Sequence, residues 1–135
     1  MSASAEQVTS FGEMPNGEPV SRIEIASGRL SAAIITYGAV VQELRLAGFD
    51  RSLVLGLTTL EHYLDHSPHF GAIVGRVANR ISNGKFSIDG VDYQADQNID
   101  GTHTLHGGAA GFGNRNWQIE EHGSDFVVLK LISDD

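Results

Sequence analysis

The sequence contains no cysteine. This absence excludes disulfide bonds, a thiolate nucleophile and every zinc site that is built from cysteine ligands. It is compatible with a reducing compartment, where structural disulfides are rare. The fold must therefore be stabilised without covalent cross-links.

Basic residues are few. The 135 residues include nine lysines and arginines against 17 aspartates and glutamates, which gives a formal net charge of −8. Nucleic-acid binding requires clustered basic side chains that neutralise phosphates, whereas those of this chain are scattered. The charge balance therefore argues against a nucleic acid as a partner.

Long hydrophobic runs are also missing. The longest apolar runs have about five residues, whereas a membrane-spanning helix needs roughly 20. Residues 1–10 lack the basic and apolar regions of a secretory signal. We therefore expect no membrane partner and a cytoplasmic location. The hydrophobic content of 41% is ordinary for a globular chain of one domain.

Helical periodicity is absent from all longer segments. From Val20 onward, apolar residues alternate with polar ones, which indicates β-strands. About seven short strands separated by turn signals predict an all-β antiparallel sandwich or barrel. We therefore divide the chain into a flexible arm over residues 1–19, which glycine and proline interrupt, and one β domain over residues 20–135.

Two details of the strand pattern lead to specific expectations. A strand that starts at Ala39 should place Val40, Leu44 and Leu46 on one face, because alternate side chains of a strand point the same way. Residues 52–57 form a short apolar run that is typical of a strand buried on both sides.

Two local motifs predict a short helix and a hairpin. Thr58 and Glu61 match a capping box, which predicts one or two helical turns after them. Asp89 and Gly90 stand between two runs of alternating apolar residues, and a two-residue Asp-Gly loop is typical of a β-hairpin. The hairpin is predicted over residues 85–95.

The six histidines do not predict a metal site. His103 and His106 are three residues apart, and an extended chain sends such side chains to opposite faces. His106 precedes two glycines, where the backbone can turn sharply and present the ring. It is either a structural histidine that caps a turn or part of a site. The remaining histidines are predicted to lie in polar turns, where they supply no evident third ligand: His62, His66, His69 and His122.

Residues 71–81 fit neither a helix nor a strand well, and they place Arg76, Asn79 and Arg80 beside small and apolar residues. Both arginines can be ordinary surface charges. Alternatively, a planar guanidinium beside an amide offers several hydrogen bonds in a fixed geometry, which suits a polyhydroxylated or anionic ligand. The residue types alone leave both interpretations open.

Taken in order, the motifs of these clusters are distinctive. GRVANRI at residues 75–81 is followed by the predicted hairpin, by Asn98, and by LHGG at residues 105–108, with Trp117 further on. This order and spacing resemble those of the aldose 1-epimerase (galactose mutarotase) family. IITYGA at residues 34–39 fits the same pattern, so the resemblance covers nearly the whole chain after the arm.

The resemblance implies a large antiparallel β-sandwich, the galactose mutarotase-like supersandwich, which would be incomplete in this chain. It also implies that the ligand is a free aldohexose sugar and that Asn79, Arg80 and His106 bind it. Arg76 and His103 match the family pattern less closely, and we assign them structural roles.

The implied reaction interconverts the α and β anomers of the sugar. A base takes the proton of the anomeric hydroxyl while an acid protonates the ring oxygen, and the opened sugar closes to the other anomer. No electrons are transferred, so no cofactor is expected. The resemblance places the family's acid histidine and base glutamate after Asp135. We therefore assign no catalytic residue within these 135 residues and expect no anomerisation by this chain alone.

Three interpretations of the chain follow. It is part of an epimerase, or a non-catalytic carbohydrate-binding module, or a half-sandwich that another chain completes. An incomplete sandwich leaves sheet edges and apolar surface uncovered. Self-association through those surfaces is therefore expected.

Overall fold

The computed structural model describes residues 6–66 and 69–134. All strand pairs in these residues are antiparallel, which confirms the predicted all-β class. In chain order, the elements are β1 (Val8–Glu13), β2 (Pro19–Ser27), β3 (Leu30–Ile35), β4 (Val40–Leu46), α1 (Leu60–His66), β5 (Arg80–Ile81), a 3₁₀ turn (Ser82–Gly84), β6 (Lys85–Ile88), β7 (Val91–Gln94), β8 (Thr104–Leu105), a second 3₁₀ turn (Phe112–Asn114), β9 (Gln118–His122) and β10 (Val127–Lys130).

The largest sheet has four strands in the order β1-β2-β3-β4, and three two-stranded sheets accompany it: β5 with β8, β6 with β7, and β9 with β10. The four-stranded sheet follows the chain order, so each strand pairs with its immediate neighbour in sequence. Its regular centre is the β2–β3 pair, where Ile23 lies opposite Ile34 and Ile25 opposite Ala32. Ile23 and Ile25 of β2 share a face as predicted, whereas β3 buries three successive residues, Ala33, Ile34 and Ile35, so both of its faces are covered there.

The prediction of a flexible arm over residues 1–19 is wrong for Val8–Glu13, which forms β1. This strand pairs with β2 along its length, and Val8 lies opposite Ile23. The pattern was missed because β1 is an edge strand with polar and small residues, and it buries little apolar surface. Residues 1–5 of the predicted arm lie outside the described residues.

A bulge in β4 changes which side chains share a face. Ala32 of β3 pairs with Leu44, whereas Ile35 pairs with Val40, so Gln42 is one residue more than the partner strand provides. Ala32 and Ile35 are three residues apart and point to opposite faces of β3. Val40 and Leu44 therefore also lie on opposite faces, and the prediction that they share one is wrong.

Residues 52–57 form a loop beside β4, and the prediction of a buried strand is wrong. The side chains of Leu53 and Leu55 are 52% and 75% exposed. The Ser52 hydroxyl accepts a hydrogen bond from the Leu44 N–H at 3.1 Å, and the Leu53 N–H donates to the Leu44 carbonyl at 2.7 Å. A side chain thus occupies the backbone donor that a strand partner would use, so no regular ladder forms.

The hydrophobic core lies between the four-stranded sheet and α1. Leu60 and Tyr63 of the helix pack against Val20, Ile35 and Val40 of the sheet, and all five side chains are almost fully buried. Burial of one such side chain stabilises a fold by about 1.5–3 kcal/mol relative to its exposure. This core fixes the helix, and with it the segment that leads toward Arg80.

The predicted helix forms, but its cap is one residue later than predicted. The Thr59 hydroxyl, rather than that of Thr58, accepts a hydrogen bond from the His62 N–H at 3.3 Å. An N-terminal cap of this kind satisfies one of the free N–H groups at the start of a helix. The helix ends at His66, and residues 67–68 lie outside the described residues.

The predicted Asp-Gly hairpin is confirmed as β6 and β7. Ile88 lies opposite Val91, and the two loop residues have positive φ angles of 50° for Asp89 and 79° for Gly90. Two successive left-handed residues produce the loop twist that matches paired strands. The hairpin returns the chain toward β8.

The apolar face of this hairpin is exposed. Phe86 and Tyr93 pair across the strands with stacked rings, whose centroids are 5.3 Å apart. Ile88 and Val91 continue the same face, and the four side chains are between 40% and 55% exposed. We call these four residues the hairpin face.

No helix among residues 6–66 and 69–134 is long and apolar enough to cross a membrane.

Candidate functional site

A short strand pair brings the predicted site residues together. β5 pairs with β8, and Arg80 lies opposite Leu105. Asn79 and His106 are the next residues outward, and both have left-handed φ angles, of 62° and 51°. Such angles occur where a strand ends and the chain turns. The three residues that were predicted from two separate segments therefore meet at one end of this strand pair.

Two hydrogen bonds join Asn79 and His106. The His106 N–H donates to the Asn79 carbonyl at 2.9 Å, and the Asn79 N–H donates to Nδ1 of the His106 ring at 3.0 Å. A ring nitrogen that accepts a hydrogen bond carries no proton, so the neutral ring holds its proton on Nε2. The backbone of Asn79 thus makes the His106 ring a hydrogen-bond donor at Nε2.

Arg80 orients the side chain of Asn79. Its Nη1 donates to Oδ1 of Asn79 at 3.2 Å, which leaves the amide NH₂ group of Asn79 as a further donor. Asn79 and Arg80 are exposed, and His106 is half-buried. We call Asn79, Arg80 and His106 the donor cluster, because each presents N–H groups. Such a set fits a ligand that is rich in oxygen acceptors.

Glycine at position 107 allows two backbone segments to touch beside His106. Gly107 has a φ angle of +87°, and a Cβ atom placed on it would lie 1.9 Å from the carbonyl oxygen of Gly75. The same carbonyl accepts a hydrogen bond from the Phe112 N–H at 3.0 Å. The GRVANRI and LHGG motifs are therefore in direct backbone contact, which explains the glycine at position 107; at position 75, an added Cβ would instead lie 2.6 Å from the Phe112 ring.

Polar side chains before β8 hold the segment that carries His106. The Asn98 side chain accepts from the Leu105 N–H at 2.7 Å and donates to the Leu105 carbonyl at 3.0 Å. Asp96 accepts from the Ala109 N–H at 2.7 Å. Asp96 was not predicted as a site residue, because an aspartate near a turn is ordinary in sequence. These bonds fix the backbone on both sides of His106.

His69 also contacts the donor cluster, and the sequence analysis missed it. His69 begins a turn, which the Ala72 N–H closes by donating to the His69 carbonyl at 3.2 Å, but the residue is half-buried, and its ring meets the His106 ring edge-on, with centroids 4.9 Å apart. Burial, and to a smaller extent the proximity of His106, lowers the pKa of His69. No sequence signal distinguishes His69 from the other histidines, because the contact depends on the tertiary fold.

Arg76 and His103 make contacts away from the donor cluster. Nδ1 of His103 accepts a hydrogen bond from the Asn83 N–H at 2.9 Å, at the 3₁₀ turn that follows β5. Arg76 donates to the side chain of Ser133 at 3.0 Å and to the carbonyl of Asp134 at 2.5 Å. The structural roles that we assign to both residues stay predictions.

In the part of the chain that the structure describes, no three histidine, aspartate or glutamate side chains are arranged to hold a metal ion. His62 and His66 lie one turn apart on α1, with ring centroids 6.2 Å apart. His122 ends β9, so none of these three histidines lies in the polar turn that was predicted.

Comparison with known proteins gives the same family from sequence and from structure. The family model described as aldose 1-epimerase matches residues 21–135. The chain is 40% identical over 124 residues to a galactose mutarotase of Rattus norvegicus, an alignment that covers 87% of this chain and 36% of the relative. It is 46% identical over 106 residues to the bifunctional protein gal10 of Schizosaccharomyces pombe, which covers 76% of this chain and 15% of the relative.

Two solved structures have a similar fold. A crystal structure of an aldose epimerase homologue from C. elegans matches with a TM-score of 0.76 and 34% identity, over 83% of this chain and 35% of that one. Galactose 1-epimerase from Lactobacillus acidophilus matches with a TM-score of 0.71 and 22% identity, over 84% and 33%, which supports the fold alone. The predicted mutarotase-like sandwich, present here in part, is thereby confirmed. The chain spans about a third of the length of the mutarotases that it matches, and it belongs to the aldose 1-epimerase family.

Proposed function

We propose that this chain carries part of the sugar-binding site of an aldose 1-epimerase, and that Asn79, Arg80 and His106 hold a free aldohexose. The observation that supports the proposal is that hydrogen bonds join these three residues at the outer end of β5 and β8. The names of the mammalian relatives make galactose the first sugar to test.

The chemistry of the donor cluster suits a sugar better than an apolar ligand. Each hydroxyl and the ring oxygen of an aldose carries lone pairs that accept hydrogen bonds. A neutral hydrogen bond contributes about 0.5–1.5 kcal/mol, and one from a charged guanidinium about 1.5–3 kcal/mol. Arg80 is therefore expected to contribute the largest share, with His106 Nε2 and the Asn79 amide fixing the orientation of the ring.

The reaction of the whole protein is proposed to be the interconversion of α and β anomers. The anomeric hydroxyl loses a proton, the ring oxygen gains one, and the C1–O5 bond breaks to give the open aldehyde. Rotation about C1–C2 and closure then produce the other anomer without a change of oxidation state. The part of the donor cluster is to hold the hydroxyls so that both proton transfers occur in a fixed geometry.

Binding can be measured by titrating D-galactose into the ¹⁵N-labelled chain and following the amide resonances. We expect saturable shifts at Asn79, Arg80 and His106. Arg80→Ala should weaken binding about 10- to 100-fold, which corresponds to the loss of one charged hydrogen bond. Arg51→Ala is the matched control, because Arg51 is an exposed arginine in the loop after β4.

Equal affinity in Arg80→Ala and the unaltered chain, or shifts confined to other surfaces, would contradict the proposal. Polarimetry of freshly dissolved α-D-galactose tests the reaction in the same samples. Since no catalytic residue is assigned within these 135 residues, we expect the buffer rate, and an acceleration that Arg80→Ala abolishes and Arg51→Ala keeps would contradict that expectation.

A further inference from the structure

His69 stands between the hydrophobic core and the donor cluster. Its ring lines a small cavity together with Tyr37 and Tyr63, which both belong to the core. The opposite contact is with His106, where the two rings meet at an interplanar angle of 63°. The side chain of His69 is therefore held by the core on one side and touches a proposed sugar-binding residue on the other.

The polar atoms of His69 do not explain its position. Nδ1 is buried and has no hydrogen-bond partner among residues 6–66 and 69–134, and a Cβ atom added to Gly113 would lie 3.5 Å from it. A buried polar atom without a partner reduces stability. What His69 contributes at this place is therefore the shape and edge of its ring.

His106 needs a second contact to have one orientation. Its Nδ1 accepts a single hydrogen bond, from the Asn79 N–H. The second side-chain torsion of histidine is broad and has no sharp preference of its own, so one hydrogen bond tolerates a range of ring tilts. An edge-on aromatic contact narrows that range, because rings at this distance favour a defined geometry.

We propose that His69 is a positioning residue, whose ring edge fixes the tilt of the His106 imidazole and so the direction in which Nε2–H points toward the sugar. The effect on sugar binding rests on the proposed function, but the contact between the two rings can be tested without sugar. The lowered pKa of His69 agrees with it, since a neutral ring can lie against His106 without charge repulsion.

The test uses ¹⁵N-imidazole spectra of the whole chain, which report the tautomer and exchange of each histidine ring. In the unaltered chain and in His69→Phe, which keeps a ring edge, we expect one His106 tautomer with its proton on Nε2. In His69→Ala and His69→Leu we expect the ¹⁵N chemical shifts of the His106 ring to move toward the average of the two tautomers. His62→Ala is the matched control, because His62 lies on α1 and its ring contact is with His66.

Sugar titration of the same variants gives the second readout. D-galactose affinity should fall about tenfold in His69→Ala and His69→Leu, and stay within about twofold in His69→Phe. Unchanged His106 spectra in both His69→Ala and His69→Leu would overturn the positioning role. If His69→Ala fails to fold, the spectra of His69→Leu alone are the test. If no variant binds sugar while the His106 spectra change as described, the sugar-binding proposal fails and the positioning contact stands.

Discussion

Replacement of Gly107 by alanine tests the backbone contact beside His106. The free-energy cost of the collision with Gly75 must be distinguished from the cost of placing alanine at a left-handed φ angle. The added Cβ would lie 1.9 Å from the Gly75 carbonyl oxygen and 3.1 Å from the Arg76 nitrogen, whereas real Cβ atoms keep at least 3.0 Å from such neighbours. The two segments must therefore separate by about 1.1 Å, and both are backbone. Overpacking of this kind costs about 1–3 kcal/mol.

Gly17→Ala provides the control. Gly17 has a φ angle of +88°, one degree from that of Gly107, but nothing lies within 4 Å of its added Cβ. Both variants share the cost of placing alanine in a left-handed conformation, roughly 1–2 kcal/mol. The difference between them therefore isolates the collision with Gly75.

Urea unfolding, followed by far-ultraviolet circular dichroism, measures this difference. If the unfolding free energy falls by about 2 kcal/mol per M of urea, the urea concentration at the midpoint should be about 0.5–1.5 M lower for Gly107→Ala than for Gly17→Ala. The displaced segment carries His106, so D-galactose affinity should also fall in Gly107→Ala and not in Gly17→Ala. Coincident midpoints for the two variants would refute the close contact between the two motifs.

Two other predictions concern the uncovered surface and the effect of acid. The hairpin face should promote self-association, so light scattering after size-exclusion chromatography should show a mass that rises with concentration. The mass should fall toward the monomer in Ile88→Lys, whereas Ser87→Lys, on the opposite face of the same strand, should leave it unchanged. Because the pKa of His69 is lowered in the folded state, the unfolded chain binds more protons, and stability should fall as the pH drops below about 6.5. His69→Phe should therefore lose less stability between pH 7.5 and pH 5 than the unaltered chain. An equal drop of the urea midpoint in the two proteins would show that His69 carries no such penalty.

Local turn chemistry made part of the fold predictable. Asp89 and Gly90 predicted a hairpin because few residues tolerate two successive left-handed angles, and the structure has both. The alternation of Ile23 and Ile25 with polar residues predicted a strand, and both residues lie in β2. These signals depend on residues that are adjacent in sequence, so a single sequence contains them.

The features that were missed depend on distant partners. β1 is a strand because β2 offers it an edge, and its own residues bury too little to show a period. The bulge at Gln42 reverses the face of Leu44, although the apolar spacing of β4 fits a regular strand. His69 has its role only because the fold brings it to His106. None of these partners can be read from the neighbouring residues.

The residues that hold the donor cluster in place gave no signal of their own in the sequence. β5 and β8 contribute only two residues each, too few for a ladder to be stable by itself. Side chains complete the support: Asn98 binds the backbone of Leu105 twice, and His103 binds the backbone N–H of Asn83. In sequence these residues resemble ordinary turn formers. The prediction that Asn79, Arg80 and His106 belong to a site came instead from the order of GRVANRI, Asn98 and LHGG, which resembles that of the aldose 1-epimerase family.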